Sequence, residues 1–219
     1  MKIFLDTANT ELITRWAQTG LIDGVTTNPT HLSKENTDPT QQVLTICDIL
    51  PAGIISVEIT EIDPESVYFQ ARKIASLSDN IAVKIPCHAS YYGVIKKLVE
   101  EGVTLNITLV FSLAQGLMMA KLGVAYISPF VGRLDDTGAD GIELIHNLRH
   151  ILDWYGFETE LLAASIRDTK HFERIMMAGA DIATVPALVF EKSLTHELTD
   201  AGMKQFLIDW QKLNVTKFP

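Results

Sequence analysis

Eight short apolar runs, each followed by a longer amphipathic one, limit what this chain can fold into more than any other feature of it. The apolar runs are 2–6, 24–28, 55–59, 81–86, 104–108, 125–130, 161–165 and 182–185, all of strand length. Between them, 10–19, 39–50, 65–77, 91–100, 113–122, 141–155 and 169–178 repeat apolar residues at helical spacing, as helices do that lay one face on a sheet. Gly20, Gly102, Gly123, Gly156 and Gly179 stand where helical runs stop, the position at which a left-handed residue costs least without Cβ. Eight strands and seven intervening helices in about 200 residues predict an α/β fold, a closed (β/α)8 TIM barrel. An open doubly wound sheet shares the alternation. Against it, no glycine-rich fingerprint follows the first strand, and polar residues are spread over nearly all strands instead of gathering at one switch point. After the last strand, 186–194 reads as a short helix and 198–213 as another, with Leu198, Met203, Phe206, Leu207, Trp210 and Leu213 as its apolar positions. That helix caps the barrel or packs on a neighbouring subunit. No linker or compositional break interrupts the chain, so 1–219 is expected to be one barrel domain that includes helix 198–213.

Composition narrows the partners. The chain has 27 acidic and 18 basic residues, a formal net charge of −9, and no basic stripe, so nucleic acid is not an expected partner. Any anion site must bring its own arginines. Cys47 and Cys87 are the only cysteines and belong to no metal-type cluster. The six histidines show no metal spacing, so no metal is expected. His146 and His150 read as surface, His88 as loop filling, and Asp135-Asp136 as loop and cap. No signal-like segment opens the sequence and no run reaches transmembrane length, which points to a soluble cytoplasmic protein with no membrane partner.

Lys84 lies in the middle of Ile-Ala-Val-Lys-Ile-Pro, a run that reads as buried on both faces. An ammonium there must be paired, neutralised or used. Residues i and i+2 of a strand share a face, so Lys84 turned inward takes Ala82 and Pro86 with it. The matching positions elsewhere are Asp6, Thr26, Asn28, Glu58, Asn106, Thr108, Ser128, Phe130 and Ser165, with Arg167 just beyond. All lie towards the C-terminal ends of their strands, the face on which barrels carry chemistry. Taken singly they have ordinary explanations. Asp6 or Asn9 caps the first helix; Thr26, Thr108 and Ser128 are small satisfied core residues; Asn28-Pro29 is a turn; Glu58 is a structural partner of Lys84. As a ring on one face they read as an active site.

An amine enclosed in protein is a weaker base than one in water, and its neutral form attacks carbonyls to give an imine that withdraws electrons from a neighbouring carbon–carbon bond. Such chemistry needs a base for a substrate hydroxyl, a relay for the carbinolamine, and donors for the remaining hydroxyls. Asp6, the Glu58/Thr108 pair, Asn28 and Asn106 are of the right kinds. Arg133 and Arg167, with Ser165, suit a phosphate. The residues alone therefore point to a sugar-phosphate lyase or transferase that works through an imine.

At this point the chain resembles the small transaldolase family, the branch that also includes fructose-6-phosphate aldolase. FLDTAN (4–9), GVTTNPT (24–30), VKIP (83–86), NITLVFSLAQ (106–115), YISPFVGRLDD (126–136), LLAASIR (161–167) and DW (209–210) carry the likeness over nearly the whole chain. The resemblance implies a class I enzyme of the pentose phosphate pathway, without metal or other cofactor, on a (β/α)8 fold. Lys84 then matches the Schiff-base lysine, Asp6 the acid–base carboxylate, and Glu58 and Thr108 the holders of a catalytic water. Asn28 and Asn106 match donors to a dihydroxyacetone unit, Ser128 a pocket residue, and Arg133, Ser165 and Arg167 the phosphate grip. The implied reaction moves dihydroxyacetone from sedoheptulose 7-phosphate or fructose 6-phosphate to glyceraldehyde 3-phosphate or erythrose 4-phosphate. A homodecamer or homopentamer is implied too, with the last helix reaching a neighbour. Transaldolases of this family resemble this chain in carrying Glu58 and Phe130, where the aldolases carry Gln and Tyr. A fructose-6-phosphate aldolase and a non-catalytic sugar-phosphate-binding protein are the alternatives. One block departs from the pattern: after VKIP the family has Thr-x-Glu-Gly, whereas this chain has His88-Ala89-Ser90-Tyr91, with Tyr92 next, expected near the mouth beside Lys84.

Overall fold

The structure is a computed structural model that describes residues 1–213; positions 214–219 of the expected domain lie outside the described residues. Its strands are β1 (Lys2–Asp6), β2 (Gly24–Thr26), β3 (Ile54–Glu58), β4 (Ile81–Pro86), β5 (Leu105–Val110), β6 (Tyr126–Pro129), β7 (Glu160–Ala163) and β8 (Ile182–Pro186). All pair in parallel in sequence order, and β8 returns to β1 along five residues, closing the barrel. The helices are α1 (Thr10–Ala17), α2 (Pro29–Leu32), α3 (Pro39–Ile49), α4 (Pro64–Ala75), α5 (Tyr92–Glu100), α6 (Leu113–Lys121), α7 (Val131–Asp135), α8 (Gly141–Tyr155), α9 (Thr169–Met177), α10 (Ala187–Ser193) and α11 (Glu197–Gln211). The closed sheet agrees with the expected TIM barrel.

Two cores hold it together. The larger lies between strands and helices, where Ile13, Ile46, Ile95, Leu98, Met119 and Leu148 are fully buried. Trp16 of α1 meets Phe190 of α10 edge-on at 5.0 Å, which joins the last helix of the ring to the first. The smaller core fills the lower barrel with Phe4, Ala82, Tyr126, Leu162, Ala164 and Ile182. Gly24 is part of this packing. A Cβ there would lie 2.7 Å from the Phe4 ring and 2.5 Å from the Ile54 carbonyl, so the phenylalanine occupies the room that strand β2 leaves.

Local chemistry starts most helices. Asn9, Asn28, Asp38, Asp63, Ser112, Asp140 and Asp168 each accept a backbone N–H in the first turn of the helix they precede. All five terminator glycines take positive φ. Strand ends depart more from expectation. β2 stops at Thr26 because Asn28 turns out of the sheet to cap α2, a helix the sequence reading did not anticipate. β5 runs on to Val110 through an irregularity at which Leu109 takes φ 58°. β7 ends at Ala163, so Ser165, expected inside that strand, sits beyond it with φ 64°. Of Asp135-Asp136, expected as loop and cap, Asp135 is instead the last residue of α7 while Asp136 is that helix's C-cap, and α8 follows after Asp140. Residues 89–91 form a short 3-10 turn ahead of α5, capped by His88. Tyr91 is buried there and donates to the Ile62 carbonyl at 2.9 Å.

Candidate active site

Above the apolar lower core, the inward side chains become polar. Register aligns Asp6, Thr26 and Ser56 across β1, β2 and β3, and Glu58, Lys84 and Asn106 across β3, β4 and β5. Asp6, Thr26, Lys84 and Asn106 open into a cavity of about 220 Å³ at the C-terminal end of the barrel. Of the residues singled out from sequence, Asp6, Thr26, Asn28, Lys84, Asn106, Thr108, Ser128, Phe130, Arg133, Ser165 and Arg167 line this cavity. Glu58 does not line it but reaches its lysine. Among the residues lining the cavity, none comes from the departing stretch 88–91, whose Tyr91 bonds instead to the β3–α4 connection. A roomier surface groove, about 600 Å³, lies between α8 and α9 and contains none of these residues.

Lys84 is 5% exposed. Its Nζ donates to the Thr27 carbonyl at 3.0 Å and lies 3.1 Å from Glu58 Oε2. A buried ammonium without such partners carries a penalty of several kcal/mol; here a carboxylate and a carbonyl replace water. One strand away, the Thr108 hydroxyl is buried with no hydrogen-bond partner. Buried polar atoms of that sort are rare and mark a place where a ligand or water completes the bonding. The positive φ of Leu109 follows directly and breaks the β5–β6 register, a common device for re-aiming side chains beside a site.

A second group surrounds Asp6. Thr26 Oγ1 donates to Asp6 Oδ1 at 3.0 Å. Its hydrogen thus committed, Thr26 must accept at 2.5 Å from the Thr184 hydroxyl. His31 of α2 brings Nδ1 to 3.5 Å from the same carboxylate oxygen. Asp6 does not cap the first helix; Asn9 does. A third group is Ser56, Asn106 and Ser128. Asn106 donates Nδ2–H to Ser56 Oγ at 3.1 Å and accepts from Ser128 Oγ at 2.6 Å, which leaves its second N–H for the cavity. Asn28 spends its oxygen on the His31 N–H at 2.9 Å, so its amide nitrogen is what it has to offer.

The far wall is cationic. Arg133 lies over the Phe130 ring, 5.0 Å from its centroid. Arg167 follows the left-handed Ser165 and is ion-paired with Asp136. Cys87 is no candidate nucleophile, because burial pushes its thiol pKa up. Among the described residues, no group of three His, Cys, Asp or Glu could hold a metal ion, and no helix is long and apolar enough to cross a membrane.

Sequence reading missed Thr184, Ser56 and His31. The first two were within reach, since Thr184 shares a face with Ile182 and Pro186, and Ser56 with Glu58. His31 was not, because it arrives on a helix that no periodicity announces. With this geometry in place, three comparisons bear on it. Residues 3–216 match the model of the transaldolase/fructose-6-phosphate aldolase family. The chain is similar to a "Probable transaldolase" of Lactiplantibacillus plantarum, 49% identical across 99% of this chain and 100% of that one. A "Probable transaldolase" of Streptococcus agalactiae is 46% identical across 96% and 97%. Among solved structures, a 3-hexulose-6-phosphate synthase superposes with a TM-score of 0.64 at 13% identity, covering 88% of this chain and 98% of that one, a likeness of fold alone.

Proposed function

This chain belongs to the transaldolase/fructose-6-phosphate aldolase family, and we propose that it moves a dihydroxyacetone unit between sugar phosphates through an imine on Lys84. Enzymatic, transaldolase-like activity in carbohydrate metabolism follows from the family; the lysine, the substrates and the steps are our reading. One observation carries it: Lys84 is buried at the cavity with a carboxylate 3.1 Å from its nitrogen, ready to take the proton that nucleophilic attack requires it to lose.

The neutral amine adds to the C2 carbonyl of sedoheptulose 7-phosphate or fructose 6-phosphate. The carbinolamine then expels water, held between Glu58 and the otherwise unpartnered Thr108 hydroxyl. Asp6, oriented by Thr26 and Thr184, takes the proton of the C4 hydroxyl. The C3–C4 bond breaks, its electron pair passes to the iminium nitrogen as an enamine, and the shortened aldehyde leaves. Glyceraldehyde 3-phosphate or erythrose 4-phosphate enters, the enamine carbon adds to its carbonyl, and Asp6 returns the proton to the new C4 oxygen. Water hydrolyses the imine and frees Lys84. Asn28, Asn106 and Ser128 hold the hydroxyls of the three-carbon unit, while Arg133, Ser165 and Arg167 hold the phosphate. The cationic far wall and the polar floor support that orientation. A ring of subunits, pentameric or decameric, is the assembly we propose, with the exposed apolar side chains of α11 as its contact.

The test is chemical trapping. Borohydride added with fructose 6-phosphate should leave a three-carbon adduct on the peptide that contains Lys84, and Lys84→Met should abolish it. A wild-type protein that turns over substrate without an adduct would sink the mechanism. Erythrose 4-phosphate should raise the release of glyceraldehyde 3-phosphate; an unchanged rate with free dihydroxyacetone as product would make the enzyme an aldolase instead.

A further inference from the structure

Behind the cationic wall stands a buried histidine that the chemistry above leaves idle. His171 of α9 is 7% exposed. Its Nδ1 accepts the backbone N–H of Arg167 at 3.2 Å. A ring that accepts at Nδ1 carries its proton on Nε2, and Nε2 lies 3.4 Å from Asp135 Oδ2 without a hydrogen bond. The other oxygen of Asp135 accepts the N–H of Gly141, the first residue of α8, at 2.7 Å. One aspartate and one imidazole thus tie together α7, α8, α9 and the segment that carries Ser165 and Arg167.

We propose that His171 is a positioning residue that holds the 165–167 segment in its anion-binding conformation only while the imidazole is neutral, so that protonation of the ring loosens the grip on phosphate. The proposal rests on the reading of Ser165 and Arg167 as phosphate ligands. A protonated imidazole donates from both nitrogens and has no lone pair for the Arg167 N–H, which then loses its acceptor and faces a second N–H instead. The charged groups around the ring are Asp135 from α7, Asp168 at the start of α9, Arg174 on α9 and Arg167 itself. Burial lowers the proton affinity of the ring most, Arg174 and Arg167 act in the same direction, and the two aspartates oppose them. The net direction is down, so the ring is neutral at neutral pH, and loosening belongs below the usual histidine range of about 6.5.

An asparagine at 171 can place its oxygen where Nδ1 sits but cannot be protonated, whereas a glutamine places its amide where Nε2 sits. KM and kcat would be measured from pH 5 to 8 for fructose 6-phosphate and for unphosphorylated fructose in wild type, His171→Asn, His171→Gln and Arg167→Ala. His171→Gln should raise the KM for fructose 6-phosphate about five- to tenfold, as loss of one hydrogen bond would, and leave the fructose KM in place. His171→Asn should keep the neutral-pH KM and lose part of the rise that wild type shows on acidification. The substrate phosphate titrates near pH 6 as well, but equally for every variant, so the difference between wild type and His171→Asn isolates the ring. Trapping with dihydroxyacetone and borohydride confirms that His171→Gln keeps an intact Lys84 site. Equal KM values for wild type and His171→Gln, or equal losses with both sugars, overturn the proposal. An Arg167→Ala variant with unchanged KM for fructose 6-phosphate would overturn the phosphate assignment itself.

Discussion

Lys84 has two partners of different kinds, and the difference bears on its chemistry. The Thr27 carbonyl accepts a hydrogen bond but cannot relieve the lysine of its proton; Glu58 can. In the proposed mechanism the pair is thus the resting state, with the lysine one proton transfer away from attack. Removing one member of such a buried pair typically costs about 3–5 kcal/mol, because the other charge stays behind. Phe130 faces the same cavity with no proton to offer. Its ring is held edge-on by Phe111 at 6.2 Å and by the Arg133 guanidinium. In the proposed mechanism a hydroxyl at this position would supply a donor to the enamine. Phe130→Tyr is therefore expected to raise the share of free dihydroxyacetone among the products severalfold, and an unchanged product ratio would refute this account of the residue.

Connections between elements place the charged wall. Gly132, in the first turn of α7, touches the connection that leads from β7 to α9. A Cβ at 132 would lie 2.2 Å from the Ser165 carbonyl and 2.5 Å from Arg167 Nε. The carbonyl is backbone and cannot swing away. Gly132→Ala should displace the 165–167 segment, raise the KM for phosphorylated substrates about tenfold or more, and cost on the order of 1–3 kcal/mol of stability, the usual range for overpacking. Thermal melts together with KM values check both halves; a normal KM with a lowered Tm would show strain without consequence for the anion site. The same junction explains why sequence reading misjudged the strand ends here. An apolar run continues from Leu161 to Ala164 and resumes at Ile166, yet the strand ends at Ala163 and pairing ends with a single bridge from Ala164 to Phe130, because Ser165 turns left-handed to present its carbonyl to the Gly132 N–H at 3.1 Å.

At the scale of the molecule, α11 stands apart. None of its residues is buried, and Leu198, Met203, Phe206, Leu207 and Ile208 are at least half exposed. Fully burying one such side chain is worth about 1.5–3 kcal/mol, so a contiguous set is a strong drive to associate. Light scattering after size exclusion should give a mass several times the 24.3 kDa of one chain. The double substitution Phe206→Asp and Leu207→Asp should shift it towards the single-chain value, and a monomeric wild type would refute the assembly.

The alternation of apolar and amphipathic runs, the inward parity around Lys84 and the glycines that end five helical runs were legible in the sequence. They depend on periods of two and 3.6 residues and on the ease with which a residue without Cβ turns left-handed. Lys84, Asp6, Asn106 and Thr108 could be placed on one face by counting alone. What counting could not supply is which of those groups are already satisfied by one another. That Thr184 stands behind Thr26 and that Thr108 is left without a partner are facts about residues far apart in the chain or on irregular backbone. Only closure of the barrel brings them within bonding distance, because a hydrogen bond depends on position to within tenths of an ångström and sequence periodicity says nothing at that resolution.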